Sequence, residues 1–274
     1  MQTIRPLHIG RYLLGMTIAA LLCGCSSSPS QQTHTLRVLS YNIHHGAGMD
    51  GKLDLERIAG VINSVSPDLV CLNEVDKGVE RSRRIDEPAR LGELTGMQPV
   101  FEQNIPFQGG QYGNAVLSRL PIRSWRNHHL PQSLPKEQRG MLEVHVNAFG
   151  VPLVFLATHF DYHPDDGERM ASAEYAQRLI AELPSGPVIL AGDLNATPES
   201  RVLEKMRSFL ADCCCQGDDP GFTFPADKPD RRIDYIMHNR HPALRCLSVE
   251  VLSEAVASDH RPILATFELT VPAK

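Results

Sequence analysis

One stretch constrains the fold more than any other: Pro187-Val188-Ile189-Leu190-Ala191-Gly192-Asp193-Leu194-Asn195-Ala196-Thr197-Pro198. It begins as an unbroken apolar run and stops on two polar residues two positions apart. An apolar run of this length reads as a strand covered on both faces. Side chains alternate along a strand, so Asp193 and Asn195 are expected on one side of its C-terminal end. Thr197 then stands where it can cap a helix beginning at Pro198, a position at which proline costs nothing. A carboxylate and an amide at the mouth of a buried strand suit work on a phosphate. They equally suit a plain capped turn in which Asp193 satisfies backbone N–H groups.

The rest of the chain repeats the pattern. Residues 36–43 alternate and end near Asn42, and residues 68–75 form a second buried run that stops on Glu74. Between them Asp54 caps a helix with Leu55, Ile58, Val61, Ile62 and Val65 on one face, halted by Ser66-Pro67. A short helix is expected over 88–96, and strands over 112–118, 140–146 and 151–158. Asp165-Asp166-Gly167-Glu168 has capping-box spacing and should open a helix running to Leu183. A helix over 198–210 and strands over 232–237, 244–252 and 262–269 complete the chain. Many strands with a few intervening helices imply a mixed α/β layered domain.

The N-terminus reads differently. Residues 1–11 carry Arg5 and Arg11 and no acid, and residues 12–22 are an apolar run too short to span a bilayer. The run ends Leu22-Cys23-Gly24-Cys25-Ser26, which resembles the bacterial lipoprotein signal, with cleavage after residue 24 and lipidation at Cys25. Cys23 is a departure small enough to fit. Ser26, in place of Asp, fits sorting to the outer membrane, so the expected location is the cell envelope, lipid-anchored and facing the periplasm. Residues 25–35 read as a flexible Ser/Gln/Thr tether, and residues 36–271 as one domain, a monomer. With the signal gone, 25 basic residues face 32 acids, a net charge of −7. That argues against a broad basic face for long nucleic acid and leaves room for a local basic pocket.

Of the seven cysteines, Cys71 lies in an apolar run and should be a buried thiol. The Cys213-Cys214-Cys215 triplet lacks C-x-x-C spacing, and a disulfide from it to Cys246 is the expected use.

The polar residues gather at strand ends. In order they are Ser40-Tyr41-Asn42-Ile43, Leu72-Asn73-Glu74-Val75, Tyr112-Gly113-Asn114-Ala115-Val116-Leu117-Ser118 and Thr158-His159-Phe160-Asp161. Gly192-Asp193-Leu194-Asn195-Ala196-Thr197-Pro198, Arg232-Ile233-Asp234-Tyr235-Ile236 and Ser258-Asp259-His260-Arg261-Pro262 follow. Any one of these is weak, but the set in this order resembles the endonuclease/exonuclease/phosphatase superfamily, with its DNase I-like fold. The resemblance implies a four-layered α/β/β/α sandwich of two mixed sheets with an active site at one edge. The family's usual Gln before the metal-binding Glu is Asn73 here, a change expected to leave the metal site intact.

Phosphodiester cleavage needs charge neutralised on a five-coordinate phosphorus and a water made nucleophilic. Mg2+, or Mn2+ in its place, suits the first task when a few carboxylates leave it open positions. By similarity to the family, Glu74 is the main metal ligand, with Asn42 and Asp259 close by. Asp193 orients and deprotonates the water, and Asn195 donates to a phosphoryl oxygen. His260 contacts the phosphoryl group, with Asp234 holding its ring. The sequence leaves open which of Asp193 and His260 is the base. His159 is a second phosphate-contacting group, Asn114 positions His159 or the phosphate, and Arg139 steers anionic substrate.

Arg81-Ser82-Arg83-Arg84 could supply the local basic pocket or be a solvated loop. His44 shares the face of Asn42 and could touch substrate. A transition-metal site at His44-His45 finds no third ligand by spacing. Residues 107–111 read as a gating loop. The expected activity is that of a Mg2+-dependent phosphodiesterase acting on a phospholipid headgroup or small phosphodiester. An extracytoplasmic nuclease is the alternative within the enzymes, and a non-catalytic anionic-ligand-binding lipoprotein is the alternative outside them.

Overall fold

Along the first strand Leu36 and Val38 face one way and Leu39 and Tyr41 the other, and all four are fully buried. A strand covered on both faces must lie between two layers. The computed structural model describes residues 1–3, 32–133, 137–214 and 219–271, so Cys25 and the signal sequence lie outside the described residues. The domain begins with β1 (Gln32–Asn42), α1 (Leu55–Ser64), β2 (Leu69–Lys77) and α2 (Glu87–Thr95). β3 (Gln98–Phe107), β4 (Gly110–Ser118), β5 (Ile122–His129), β6 (Gly140–Ala148) and β7 (Val151–His159) follow. Next come α3 (Gly167–Glu182), β8 (Val188–Asp193), α4 (Arg201–Arg207) and β9 (Ala211–Cys213). β10 (Asp234–His238), β11 (Leu244–Val251) and β12 (Ile263–Val271) close the chain.

Two six-stranded sheets result, in the orders β11-β12-β1-β2-β4-β3 and β5-β6-β7-β8-β10-β9. Both are mixed: β1 runs parallel to β2 and β7 parallel to β8, and the other pairs are antiparallel. The inner faces meet in a core that includes Val38, Cys71, Val116, Leu142, Phe155, Ile189 and Phe267. Leu55, Ile58, Ile62 and Leu91 of α1 and α2 cover Leu39, Tyr41 and Leu72 on one outer face. Ala173, Ala176, Val202 and Met206 of α3 and α4 cover Leu156, Leu190 and Tyr235 on the other. This is the four-layered α/β/β/α arrangement. Emptying its centre by Phe155→Ala would cost about 3–5 kcal/mol.

Local chemistry explains most boundaries. Asp54 accepts the Arg57 N–H at 2.9 Å and starts α1 as expected. Gly96 ends α2 in the left-handed conformation that glycine adopts freely. Elsewhere the structure differs from expectation. Residues 32–35 of the expected tether are strand, paired with residues 268–271 of β12. β3 and β5 occupy stretches for which no element was expected; each is an edge strand with mostly half-exposed or exposed side chains. The helix expected from Pro198 begins at Arg201, because Ser200, not Thr197, accepts the Leu203 N–H. The capping box does not form: Asp166 caps without a side-chain bond, and Glu168 instead accepts from Ser133. Residues 107–111 are no gating loop but the turn of the β3–β4 hairpin, with Gln108 and Gly109 both at positive φ. Cys213 and Cys246 face each other across the two sheets as hydrogen-bonded free thiols, not as a disulfide.

Candidate active site

Parallel pairing brings the C-terminal ends of β1 and β2, and of β7 and β8, to the same edge of the sandwich. In one sheet the register sets His159 beside Asp193 and Asp193 beside Asp234. In the other it sets Asn42 beside Asn73. Glu74 comes next in the chain and would point outward if β2 stayed regular. The strand bulges between Leu72 and Val75 instead, with Glu74 in the left-handed region at φ 58°. The bulge inserts one extra residue, so Val75 returns to the face of Leu72 and Glu74 is re-aimed between them. Gly192 permits the close approach of β7 and β8, since a Cβ there would sit 1.8 Å from the Thr158 carbonyl oxygen.

Asp193 is the hub. Its Oδ2 accepts from Asn42 Nδ2 at 3.2 Å and lies 3.5 Å from His159 Nε2 and 3.7 Å from His260 Nε2. Its Oδ1 accepts the Asn195 backbone N–H at 2.8 Å. Asn195 therefore does not continue the strand face of Asp193. It sits at φ 47° just past the strand, donating through Nδ2 to the Phe160 carbonyl at 3.2 Å, 3.1 Å from His159 Nε2. Asn42 also donates to Glu74 Oε1 at 3.1 Å, so one amide joins the two carboxylates from opposite sheets. Ser258 supports the third acid by donating to Asp259 Oδ1 at 3.3 Å.

The two histidines are held in opposite states. His260 Nδ1 bonds Asp234 Oδ2 at 2.8 Å. Burial opposes charge on this ring, but Asp234, then Asp193 and Asp259, outweigh it and raise the pKa to about 10. His159 Nδ1 faces Arg139 Nη1 at 3.0 Å. A guanidinium only donates, so Nδ1 must accept and the neutral ring carries its proton on Nε2. Burial, then the positive charge of Arg139, keeps His159 well below its ordinary pKa. Burial and the Asp234 carboxylate push the Asp193 carboxyl up, against the pull of His260.

These groups line a cleft of about 410 Å³ with Glu74, Arg139, Asp193, Asn195, Asp259 and His260 in its wall. Two aromatic rings flank it, each under a guanidinium: Tyr162 with Arg139 at 5.6 Å and Phe224 with Arg231 at 5.1 Å. The site residues present suit a hard divalent cation. Four carboxylates gather here against few positive groups, and Asp234 Oδ1 is buried without a partner. Asp193, Asp234 and His260 offer donor atoms within 4.8 Å of one another. The Asp234–His260 bond already occupies that trio, which leaves Glu74 and Asp259 as the open carboxylates, with Asn42 beside them turning Nδ2 toward Glu74 while its Oδ1 takes the His44 N–H.

Other expected site residues lie elsewhere. Asn114 is buried behind the cleft, bonded to Asn73 and to the Gly140 carbonyl, and touches neither His159 nor the cleft. Arg81 is held by Asp76 at 2.8 and 2.9 Å and lies over the Phe107 and Tyr112 rings, so it forms no substrate pocket. Arg83 lines a separate groove with Arg90, and Arg84 pairs with Glu80 at 3.9 Å. His44 does not line the cleft; its Nδ1 donates to the Ala47 carbonyl at 3.2 Å. Asn73 is the residue whose part the sequence understated. Fully buried, it donates to Asn114 and to the Thr158 carbonyl, both at 3.0 Å, and accepts the Asp193 N–H at 3.0 Å. It ties the two sheets together directly beneath the hub.

Comparison with known proteins agrees with this layout. A curated relative, the uncharacterized protein YbhP of Escherichia coli, is 26% identical over 251 residues, covering 87% of this chain and 98% of its own. An endonuclease/exonuclease/phosphatase from Beutenbergia cavernae is 29% identical and superposes with a TM-score of 0.71 over 86% of this chain and 72% of that one. A mannosyl-6-phosphatase from Bacteroides thetaiotaomicron shares the fold at 19% identity, with a TM-score of 0.69 over 85% of this chain and 99% of that one. Residues 39–260, which carry the polar segments from Asn42 to His260, match one family, and the chain is a member of the Endonuclease/Exonuclease/phosphatase family of phosphoester hydrolases.

Proposed function

We propose that this protein is a Mg2+-dependent phosphodiesterase acting outside the cytoplasm on a phospholipid headgroup or small phosphodiester. The observation that carries this reading is the convergence on Asp193 Oδ2 of Asn42 and His260, from β1 and the segment before β12 in one sheet, and of His159 from the other. Glu74 would be the main ligand of the ion, with Asp259 and Asn42 close by, and the ion when bound supplies positive charge to the phosphoryl oxygens. Asp193, pulled above the usual carboxylate range by burial, takes the proton of the attacking water. Its backbone-bonded Oδ1 fixes the carboxylate while Oδ2 faces the cleft.

His260 acts as a donor. Flanked by Asp234 and Asp193, it is an imidazolium whose Nε2–H neutralises phosphoryl charge, which leaves the base role to Asp193. His159 presents its Nε2–H to the leaving oxygen, a tautomer set by Arg139. Asn195, held by the Asp193 carboxylate and the Phe160 carbonyl, stands in the cleft wall, where its amide can donate to a phosphoryl oxygen.

The cleft volume supports a small phosphoester over a long polymer, as does the net charge of −7 on the body. The Leu22-Cys23-Gly24-Cys25 motif supports lipid anchoring at Cys25 in the envelope, outer membrane facing the periplasm. Cys25→Ser should release the protein from the membrane fraction, and unchanged fractionation would remove that claim. The catalytic reading is tested by a panel of phospholipids, sphingomyelin, inositol phosphates, plasmid DNA, RNA and a bis-aryl phosphodiester, each with Mg2+ and with EDTA. The mannosyl-6-phosphatase neighbour adds a sugar phosphomonoester. Turnover of a diester that survives EDTA, or that survives Asp193→Asn, would sink it.

A further inference from the structure

The turn after β1 is bent in a way that ordinary connections avoid. His44, His45 and Gly46 lie in succession at φ 45°, 45° and 72°. Side chains rarely adopt the left-handed region, and two adjacent histidines in it are strained. Gly46 suits its positive φ, and a Cβ there would also press on Leu55 Cδ2 at 2.7 Å. The turn is held rigidly to the active site: the His44 N–H donates to Asn42 Oδ1 at 3.1 Å. Its effect is to bring both imidazoles close to Glu74. Donor atoms of His44, His45 and Glu74 all lie within 4.8 Å of one another. The third ligand that spacing along the chain failed to supply comes from the bulge of β2.

The state of the two rings fits ligation. His44 Nδ1 donates to the Ala47 carbonyl, leaving Nε2 with a free lone pair. A backbone carbonyl in that position is the usual partner that fixes a metal-binding histidine. His45 Nδ1 is buried with no hydrogen-bond partner. Asp259 Oδ1 stands 3.9 Å from His44 Nδ1 as a further oxygen nearby. Two imidazoles and one carboxylate form a donor set for a borderline dication, while Mg2+ prefers oxygen ligands.

We propose that His44, His45 and Glu74 bind a transition-metal dication of the Zn2+ or Co2+ class, at a position beside the oxygen-lined site and sharing Glu74 with it. The inference rests on the proposed metal-dependent reaction only in sharing that carboxylate. Binding itself needs no turnover.

The test titrates metal-stripped full-length protein with Co2+ and follows its visible absorption. Wild type should develop ligand-field bands that millimolar Mg2+ does not remove. His45→Gln should weaken Co2+ binding at least about tenfold, while Asp193→Asn should bind as wild type does. In parallel, carbethoxylation of wild-type histidines is mapped by peptide mass spectrometry, a measurement that needs no variant to fold. Zn2+ should protect His44 and His45, and Mg2+ should not. Co2+ affinity unchanged by His45→Gln, or histidine reactivity unchanged by Zn2+, would overturn the proposal. If the substrate panel shows no hydrolysis while Co2+ binding depends on His45, the catalytic reading fails and this site stands.

Discussion

Two histidine–carboxylate constellations centre on strands of the same sheet, and their charges are balanced in opposite ways. In the first, Glu143 accepts from His128 at 2.7 Å and from His145 at 2.5 Å, and the far side of His128 bonds the Tyr175 hydroxyl at 3.0 Å. One carboxylate thus has two imidazoles and a closed chain of bonds. Burial works against its charge, yet hydrogen bonds from His145 and His128 prevail and hold its pKa below the ordinary value. In the second, Asp193 has acidic neighbours in Asp234 and Glu74, and its pKa moves the other way. Both are buried groups of the same chemical types. Both line a cavity, so excess like charge and an unpartnered Asp234 oxygen are what set the second apart.

The largest effects should come from breaking the second constellation. Asp193→Asn is expected to lower kcat by about 10²–10⁴-fold with the fold intact, as judged by thermal melting and circular dichroism. His260→Ala should cost about 10²–10³-fold, since it removes a preorganised donor. If both variants turn over substrate as wild type does, the charge comparison has no bearing on catalysis.

A cation should calm the crowded carboxylates and do nothing to Glu143. Adding Mg2+ at about a hundred times its Kd should stabilise the metal-stripped protein by about 2.7 kcal/mol, read as a rise in Tm. Glu74→Gln should abolish that rise, and a rise that persists in Glu74→Gln would place the ion elsewhere.

Glu143→Gln attacks the closed constellation. It strips two histidines of a shared anionic partner and should cost about 1–3 kcal/mol of stability, with hydrolysis unchanged. A drop in kcat without loss of Tm would mean that this network reaches the active site.

How far this contrast could be read from the chain depends on where each partner comes from. The apolar runs that stop on Glu74 and Asp193 are local signals, and they carried the fold and the hub. β3 and β5 left no such signal, because edge strands such as Ile122–His129 expose polar side chains and are defined by the neighbour they pair with. Arg81 looked available for substrate because its partner Asp76 sits in β2, where nothing in the sequence marks it as buried. Asn73 looked like a neutral replacement because its three bonds all go to strands remote in the chain. His44 and His45 lacked a third ligand for the same reason. Tertiary partners, not residue types, were the missing information.

Glu87 tests whether burial without a partner is enough to perturb a carboxyl with no catalytic part. It is fully buried, accepts the Asp76 N–H at 2.8 Å through Oε2, and leaves Oε1 unpaired. Burial raises its pKa to about 8, with the Asp76 carboxylate adding to the rise. Because the folded value lies above the unfolded one, near 4.5, folding takes up a proton between the two. The stability this provides is fully present below about pH 4.5 and is lost as pH rises through about 8. Glu87→Gln is neutral at every pH and should escape that loss. The difference in Tm between the variant and wild type should therefore move in favour of the variant from pH 5 to pH 8 and then level off. The free-energy change is on the order of a few kcal/mol at most, at about 1.4 kcal/mol per pH unit. A Tm difference that is flat across this range would mean that Glu87 is ionised in the folded protein, and that its unpaired oxygen is satisfied as well as those of Glu143.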